Sequence, residues 1–316
     1  MENPYITHHL FPRPPGTGGS KTLLEEHIPQ KAGDLRTLML AIADLSTDIR
    51  AGFLNNQGVA GTKNIYGETQ VEMDKWADEV LVEGLSNLPM VATVSSEERD
   101  DIIHMNPEGE FSVVFDPLDG SSLMGVDLTV GTIVGIFRSP TPLRPGKELA
   151  AAMYILYGPL TVLVYTIGKG VHEFVLNPDN EYILQKESLT IGRSKIYSPG
   201  GLRKEYLPAH RRFIEGLEEE GYKIRFAGAF VADVHQIIHK GGVFTYPATE
   251  KNASGKLRLL FEAIPMGFMV TMAGGAISDG RKDILDILPG SIDHRVPIYI
   301  GGKKEIQMIN DENKKE

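Results

Sequence analysis

Two carboxylates stand three residues apart in Phe115-Asp116-Pro117-Leu118-Asp119-Gly120-Ser121-Ser122, where an apolar run gives way to a Gly-Ser-Ser turn. Such residues suit metal-assisted phosphate chemistry. Asp116, Asp119 and the Leu118 carbonyl between them offer hard oxygen ligands to Mg2+. The amides of Gly120, Ser121 and Ser122, opening a helix, would attract a phosphate. Residues 111–115 read as a buried strand, so Asp116 is expected at its carboxyl end, and Pro117, which has no N–H for a ladder, is expected to stop it. A bare Asp-x-x-Asp-Gly would be ordinary turn chemistry. The chemical reading rests on a second short strand, 91–96, which ends in Glu97-Glu98. Two strands would deliver acids to one rim, and in open α/β sheets ligands bind outside the carboxyl ends of the strands.

Further acids extend the set. Glu68 and Asp74 flank the start of a helix expected over about 70–85, where acids ordinarily serve the helix dipole. Glu262 interrupts the apolar run Leu259-Leu260-Phe261-Glu262-Ala263-Ile264; an unpaired buried carboxylate there would be costly, so it is expected to be paired, with metal as the partner. Lys256 and Arg258 alternate just ahead of it, and either one points at a phosphate or both form a strand's exposed face. Gly16-Thr17-Gly18-Gly19-Ser20-Lys21-Thr22 imitates a P-loop, but Ser20 replaces the glycine before the lysine and no buried strand precedes it. His235 and His239 have the spacing of a zinc helix, yet Gln236 stands where H-E-x-x-H carries its base, so a packing or capping role is expected. No Gly-x-Ser-x-Gly elbow supports a serine hydrolase.

The elements that must position these residues follow from periodicity. Apolar residues at helical spacing make 34–52 a helix, with Asp34 and Gly52 as caps. The glycine-rich stretch 55–69 reads as a mobile loop able to close over substrate. Strands are expected over 129–137, 153–157, 160–166 and 172–175, then 223–226 and 242–246, with helices over 231–240 and 260–272. Residues 1–33 read as a poorly ordered arm, 34–190 as an α/β half with the metal site and 191–316 as an α/β half with the sugar-phosphate site. The chain has 316 residues, 41% hydrophobic and 23% charged, with net charge −10 and no cysteine. Disulfides, thiolate zinc sites and cysteine nucleophiles are therefore excluded, and a general nucleic-acid binder is disfavoured because Lys and Arg are scattered. No apolar run approaches the roughly 18 residues of a membrane span, and the N-terminus lacks a signal-peptide plan, so a cytoplasmic protein is expected.

Taken in order, Gly61-Thr62-Lys63-Asn64, Ser96-Glu97-Glu98, the D-P-L-D-G-S-S turn, Val130-Gly131-Thr132-Ile133, Val231-Ala232-Asp233-Val234-His235, Tyr246-Pro247 and Gly255-Lys256-Leu257-Arg258-Leu259-Leu260-Phe261-Glu262 resemble the class I fructose-1,6-bisphosphatases and the related sedoheptulose-1,7-bisphosphatases. The resemblance implies an α/β fold, a layered αβαβα sandwich of the sugar-phosphatase type, hydrolysing the 1-phosphate of a sugar bisphosphate with two or more Mg2+ ions, Mn2+ or Zn2+ being substitutes. It implies metal ligation by Glu97, Asp116, Leu118, Asp119 and Glu262, and water activation by Glu98 and Asp74, with Glu68 where the family's loop has Asp. Gly120, Ser121 and Ser122 would meet the 1-phosphate. Tyr246 and Lys256 match sugar- and phosphate-contacting positions, Arg225 matches an arginine that reaches a neighbouring subunit's site in a homotetramer, and Arg203, as a replacement cation, Phe226 and Arg258 complete the expected substrate-binding set. The segment from Tyr197 to Arg203 resembles the sedoheptulose enzymes, and Phe226 stands where a tyrosine is usual. Val231-Ala232-Asp233 and Phe244-Thr245-Tyr246-Pro247 resemble the fructose enzymes. Glu110-Phe111 replaces the Lys-Tyr pair of AMP-inhibited members, so AMP inhibition is expected to be weak.

Overall fold

The computed structural model of the chain describes residues 22–56, 59–63 and 69–315. Glu68, the P-loop-like stretch up to Lys21 and part of the 55–69 stretch lie outside the described residues. Helix α1 (Leu24–His27) and a 3-10 turn (Gln30–Ala32) lead into α2 (Asp34–Gly52). The expected arm therefore ends sooner than residue 33. Leu24 and Ile28 are buried in the same core as α2, and Leu184 N donates to Thr22 O. Two apolar side chains four residues apart are too few to register as a period among prolines and glycines. Gly33, at φ +58°, occupies the N-cap expected of Asp34. The 55–69 stretch is also more regular than a loop: β1 (Val59–Lys63) pairs antiparallel with β2 (Thr69–Val71), directly before α3 (Glu72–Ser86).

Eight strands then form one sheet: β3 (Val91–Ser96), β4 (Ile103–His104), β5 (Phe111–Asp119), β6 (Val130–Phe137), β7 (Leu149–Tyr157), β8 (Thr161–Thr166), β9 (His172–Leu176) and β10 (Tyr182–Lys186). Their order is β10-β9-β8-β7-β6-β5-β3-β4, with β3 and β5 parallel and the remaining neighbours antiparallel. The second sheet contains β11 (Ile196–Pro199), β12 (Lys223–Ile224), β13 (Val243–Tyr246), β15 (Ala276–Ser278) and β17 (Ile298–Gly301), ordered β12-β11-β13-β17-β15. A short pair joins β14 (Leu257–Arg258) to β16 (Arg295–Val296).

Burial stacks these parts in five layers. Helices α2 and α3 cover one face of the large sheet through Leu38, Met39, Met73, Leu81, Val113 and Phe115. Helices α5 (Phe230–Lys240) and α6 (Ile264–Met272) fill the space between the sheets, where Val231, Ile237, Met266 and Met269 meet Val114, Ile133, Phe244 and Ile300. Helices α4 (Pro208–Glu219) and α7 (Lys303–Asn313) close the far side over Tyr197, Val243 and Tyr299. The result is the αβαβα sandwich. Because helices cover both faces, β3, β5 and β6 are buried along their whole length and show no alternation. Among the described residues no helix is long and apolar enough to cross a membrane.

Within that outer layer, His210 of α4 sits edge-on to Tyr206 with ring centroids 4.3 Å apart, and its Nδ1 hydrogen-bonds the Tyr299 hydroxyl at 3.2 Å. Burial pushes its pKa down to about 3. The folded chain holds this ring neutral, whereas the unfolded chain protonates it below about pH 6.5. Stability is therefore lost as pH falls from 6.5 toward 3, by about 1.4 kcal/mol per pH unit inside that window. We expect His210→Phe to lower the drop in melting temperature between pH 7.5 and 4.5; an unchanged drop would place the acid sensitivity elsewhere.

Candidate active site

The parallel pairing of β3 and β5 puts their carboxyl ends on one rim. Contrary to expectation, β5 does not stop at Asp116. Its ladder with β6 shifts register between Asp116 and Asp119, so that Pro117 and Leu118 together face Thr132. This is a β-bulge, where an extra residue needs no ladder bond and Pro is tolerated. Thr132 Oγ1 donates to the Pro117 carbonyl at 2.9 Å, and Leu118 N donates to Asp116 Oδ1 at 2.9 Å. Gly120 then turns the chain at φ +82°, where a Cβ would lie 2.5 Å from that of Ala229. Ser121 and Ser122 open a 3-10 helix (Ser121–Val126) rather than an α-helix.

The second half of the chain supplies the other wall. Asp119 Oδ2 accepts a 2.6 Å hydrogen bond from Val231 N, in the first turn of α5. The buried carboxylate of Asp233 accepts from Ala227 N and Gly228 N at 3.0 and 3.1 Å, fixing the loop that enters this helix. Glu262 lies on a π-helical turn (Leu259–Ala263) directly before α6. Pro265 cannot donate to the carbonyl of Phe261, four residues back, and a widened turn accommodates that loss. Glu262 Oε2 accepts from Arg258 N at 2.5 Å.

Glu97, Asp116 and Glu262 thereby bring carboxylate oxygens within 4.8 Å of one another. Burial, then the charges of Glu97, Asp119 and Glu262, push Asp116 well above the ordinary carboxylate range. Glu262 is raised by burial, Glu97 and Asp119. Burial also raises Asp119 to about 7, against the lowering effect of the Val231 hydrogen bond. Arg258, 1% exposed, has its Nε 3.5 Å from Glu97 Oε1. Its guanidinium belongs to the carboxylate cluster and does not form part of the cavity wall. A cluster of buried hard oxygens that raise one another's pKa fits a divalent cation, which would hold all of them ionised.

The cluster floors a cavity of about 520 Å³. Glu97, Glu98, Asp116, Leu118, Asp119 and Glu262 meet there with Gly120, Ser121 and Ser122, and Phe226, Tyr246 and Lys256 stand in the same wall. The Lys256 ammonium lies 5.9 Å from the centre of the Tyr246 ring. Arg295, which the sequence reading missed, also lines the cavity and donates to the Lys256 carbonyl at 2.6 Å. It arrives through the pairing of Arg258 with Arg295 across β14 and β16, a contact 37 residues distant that no local pattern announces.

Comparison with known sequences settles the kinship. The description "Fructose-1-6-bisphosphatase, N-terminal domain" matches residues 21–187, and its C-terminal counterpart matches residues 191–313. The chain belongs to the fructose-1,6-bisphosphatase family. It is 46% identical over 293 residues to a class 1 fructose-1,6-bisphosphatase of Methanocorpusculum labreanum, covering 92% of this chain and 90% of the relative. It is 47% identical over 280 residues to that of Methanospirillum hungatei, covering 88% and 90%. The holo fructose-1,6-bisphosphatase of Leishmania major superposes with TM-score 0.88 at 30% identity, over 94% of this chain and all (100%) of the other. A candidate sedoheptulose-1,7-bisphosphatase of Toxoplasma gondii superposes at 0.83 and 28% identity, over 92% and 98%. The fructose-1,6-bisphosphatases are metal-dependent phosphatases.

Besides Arg258, three residues that the family resemblance points to, Arg203, Arg225 and Asp74, are not among those lining this cavity. Arg203 is exposed and held by Glu218, Nη1 to Oε1 at 3.1 Å, with Tyr197 donating to the same oxygen at 2.6 Å. Arg225 donates to the Ile224 carbonyl and lines a shallower neighbouring depression with Phe226 and Gln236. Asp74 is buried in the first turn of α3, the helix that packs on β3 and β5. The electrostatics of the cluster predict a metal response with a definite sign. Asp116, Asp119 and Glu262 hold their protons in the fold at pH values where the unfolded chain has ionised, so metal-free protein loses stability as pH rises from about 4 through the value of about 7 for Asp119. Mg2+ is expected to raise the melting temperature more at pH 8 than at pH 5; an equal rise at both, or none, would remove it from this cluster.

Proposed function

We propose that the chain hydrolyses the 1-phosphate of fructose 1,6-bisphosphate, with Mg2+ held by Glu97, Asp116, Asp119, Glu262 and the Leu118 carbonyl. The observation that carries this reading is one cavity lined both by the carboxylates with the Gly120–Ser122 turn and by Lys256, Arg295 and Tyr246. A bisphosphate needs a metal-binding acid cluster and cations together. When bound, Mg2+ supplies Lewis-acid polarisation of the phosphate and acidifies the attacking water. The amides of the 3-10 turn orient the 1-phosphate. Glu98, on the cavity wall, accepts the water's proton, with Asp74 and Glu68 completing the relay. Lys256 and Arg295 neutralise the distal phosphate and Tyr246 packs against the sugar. We further read the enzyme as a cytoplasmic homotetramer in which exposed Arg225 reaches a neighbouring copy.

A second reading, action on sedoheptulose 1,7-bisphosphate, is favoured by Phe226, which lines the cavity with no hydroxyl to offer a distal phosphate. Phosphate release from the two sugars, measured in parallel with Mg2+ and with EDTA, separates them. Metal-dependent release that favours the fructose substrate is expected; none from either would sink the proposal. Asp119→Asn keeps the shape of the acceptor for Val231 but removes charge from the cluster. It should fold and lose on the order of 100-fold or more in kcat, the scale seen when one transition-state contact is removed. Near-normal turnover would take Asp119 out of the mechanism.

Regulation follows from β5. Glu110 forms a 2.8 Å ion pair with Arg138, whose guanidinium lies 4.7 Å from the centre of the Phe111 ring. A nucleotide phosphate arriving there would face a carboxylate and find no tyrosine hydroxyl. Micromolar AMP is expected to leave the rate unchanged in a phosphate-release assay, and strong inhibition would contradict this.

A further inference from the structure

Helix α5 carries His235 and His239 one turn apart on a single face, their ring centroids 4.5 Å from each other. A carboxylate joins them from another element. Glu173 of β9 reaches the same point, with Oε2 2.6 Å from His239 Nε2. One nitrogen from each imidazole and one Glu173 oxygen all lie within 4.8 Å of one another. We propose that Glu173, His235 and His239 form a second cation site, distinct from the carboxylate cluster and selective for a borderline metal such as Zn2+.

The donor set decides the chemistry. Two imidazoles and one carboxylate are a three-ligand zinc set with the fourth position open to water, whereas the all-oxygen cluster at Glu97, Asp116 and Glu262 suits Mg2+. The partners needed around such ligands are already in place. Tyr154 OH lies 2.9 Å from His235 Nδ1, a contact that orients the ring; with Nδ1–H donating to the hydroxyl, Nε2 is the nitrogen left for a metal. Burial lowers the His235 pKa to about 4, so the ring offers a lone pair at neutral pH. Against the upward push of burial, the His239 hydrogen bond holds Glu173 below its ordinary range and therefore ionised. The site is not sealed, since the His239 side chain is 18% exposed. One group opposes a cation: Lys186 Nζ stands 3.0 Å from His239 Nδ1. Lys186 is exposed at the end of β10 and can turn to water. The site ties the far half of α5 to the outer strands of the large sheet, while the first turn of that helix holds Asp119.

The test uses the full chain, stripped with chelator, returned to millimolar Mg2+ and titrated with Zn2+ by calorimetry. A parallel titration with Co2+ reads coordination from visible absorption. Wild type is expected to bind one more equivalent of Zn2+, at micromolar or lower concentration, than His239→Gln or His235→Gln. Co2+ should give an intense tetrahedral band that both variants lose. Lys186→Met, which removes the opposing charge, should bind several-fold more tightly. Equal Zn2+ binding in wild type and His239→Gln would overturn the proposal, because the ion would then sit elsewhere, for example at His27, His172 and Glu187. Absence of micromolar binding in both wild type and Lys186→Met would overturn it too, leaving His239 and Glu173 as a plain ion pair between β9 and α5. The Mg2+-dependent phosphatase rate of His239→Gln, expected to be unchanged, reports that the variant is folded.

Discussion

Several carboxylates must be kept close together out of water, and most of the architecture serves that one repulsive constraint. Asp116, Asp119 and Glu262 each accept one backbone N–H, from Leu118, Val231 and Arg258 respectively. These three amides belong to a bulged strand, a helix start and the short β14 strand ahead of a π turn. Backbone donors fix the direction of a carboxylate without cancelling its charge. Arg258 and Lys256 offset part of that charge, and the remainder is available to a cation. A cluster neutralised by side-chain cations would be more stable and chemically idle.

The constraint also explains the layering. The acids come from both halves of the chain, and α5 and α6 bring the second set against the large sheet only when both of their faces are buried. Parallel pairing of β3 with β5 sets the rim, and the bulge lets Asp116 and Asp119 both reach the same cavity. Mutual burial of two sheets on one helical layer thus supplies the free energy that holds like charges together.

Much of this was legible in the sequence because it is local. The apolar period of α2, the runs of β3, β5 and β6, and the acids at strand ends can be read from neighbours a few residues apart. What escaped depends on partners distant in the chain. Pro117 reads as a strand breaker until Thr132 shows that it occupies a bulge. Arg258 reads as half of an exposed alternation until β16 covers it. Arg295 has no signal of its own. Leu24 and Ile28 look like part of a tail until the core of α2 receives them. Glu173 likewise supplies a carboxylate to His235 and His239 from 62 and 66 residues away.

Gly120 and Gly131 meet the second half of the chain at atomic contact: a Cβ at the first would lie 2.5 Å from Ala229 Cβ, and one at the second 2.9 Å from Val231 Cγ1 as well as 2.4 Å from Ile155 O of β7. The two halves are therefore mated parts cut to a common tolerance, and not interchangeable modules on a hinge. A single methyl group on Gly120 would push against Ala229, the residue just ahead of α5, whose first turn holds Asp119. Across divergent descendants of this chain, change on one side of the seam must be answered on the other, which makes this junction a brake on recombination between halves even where each half folds well with its own relatives.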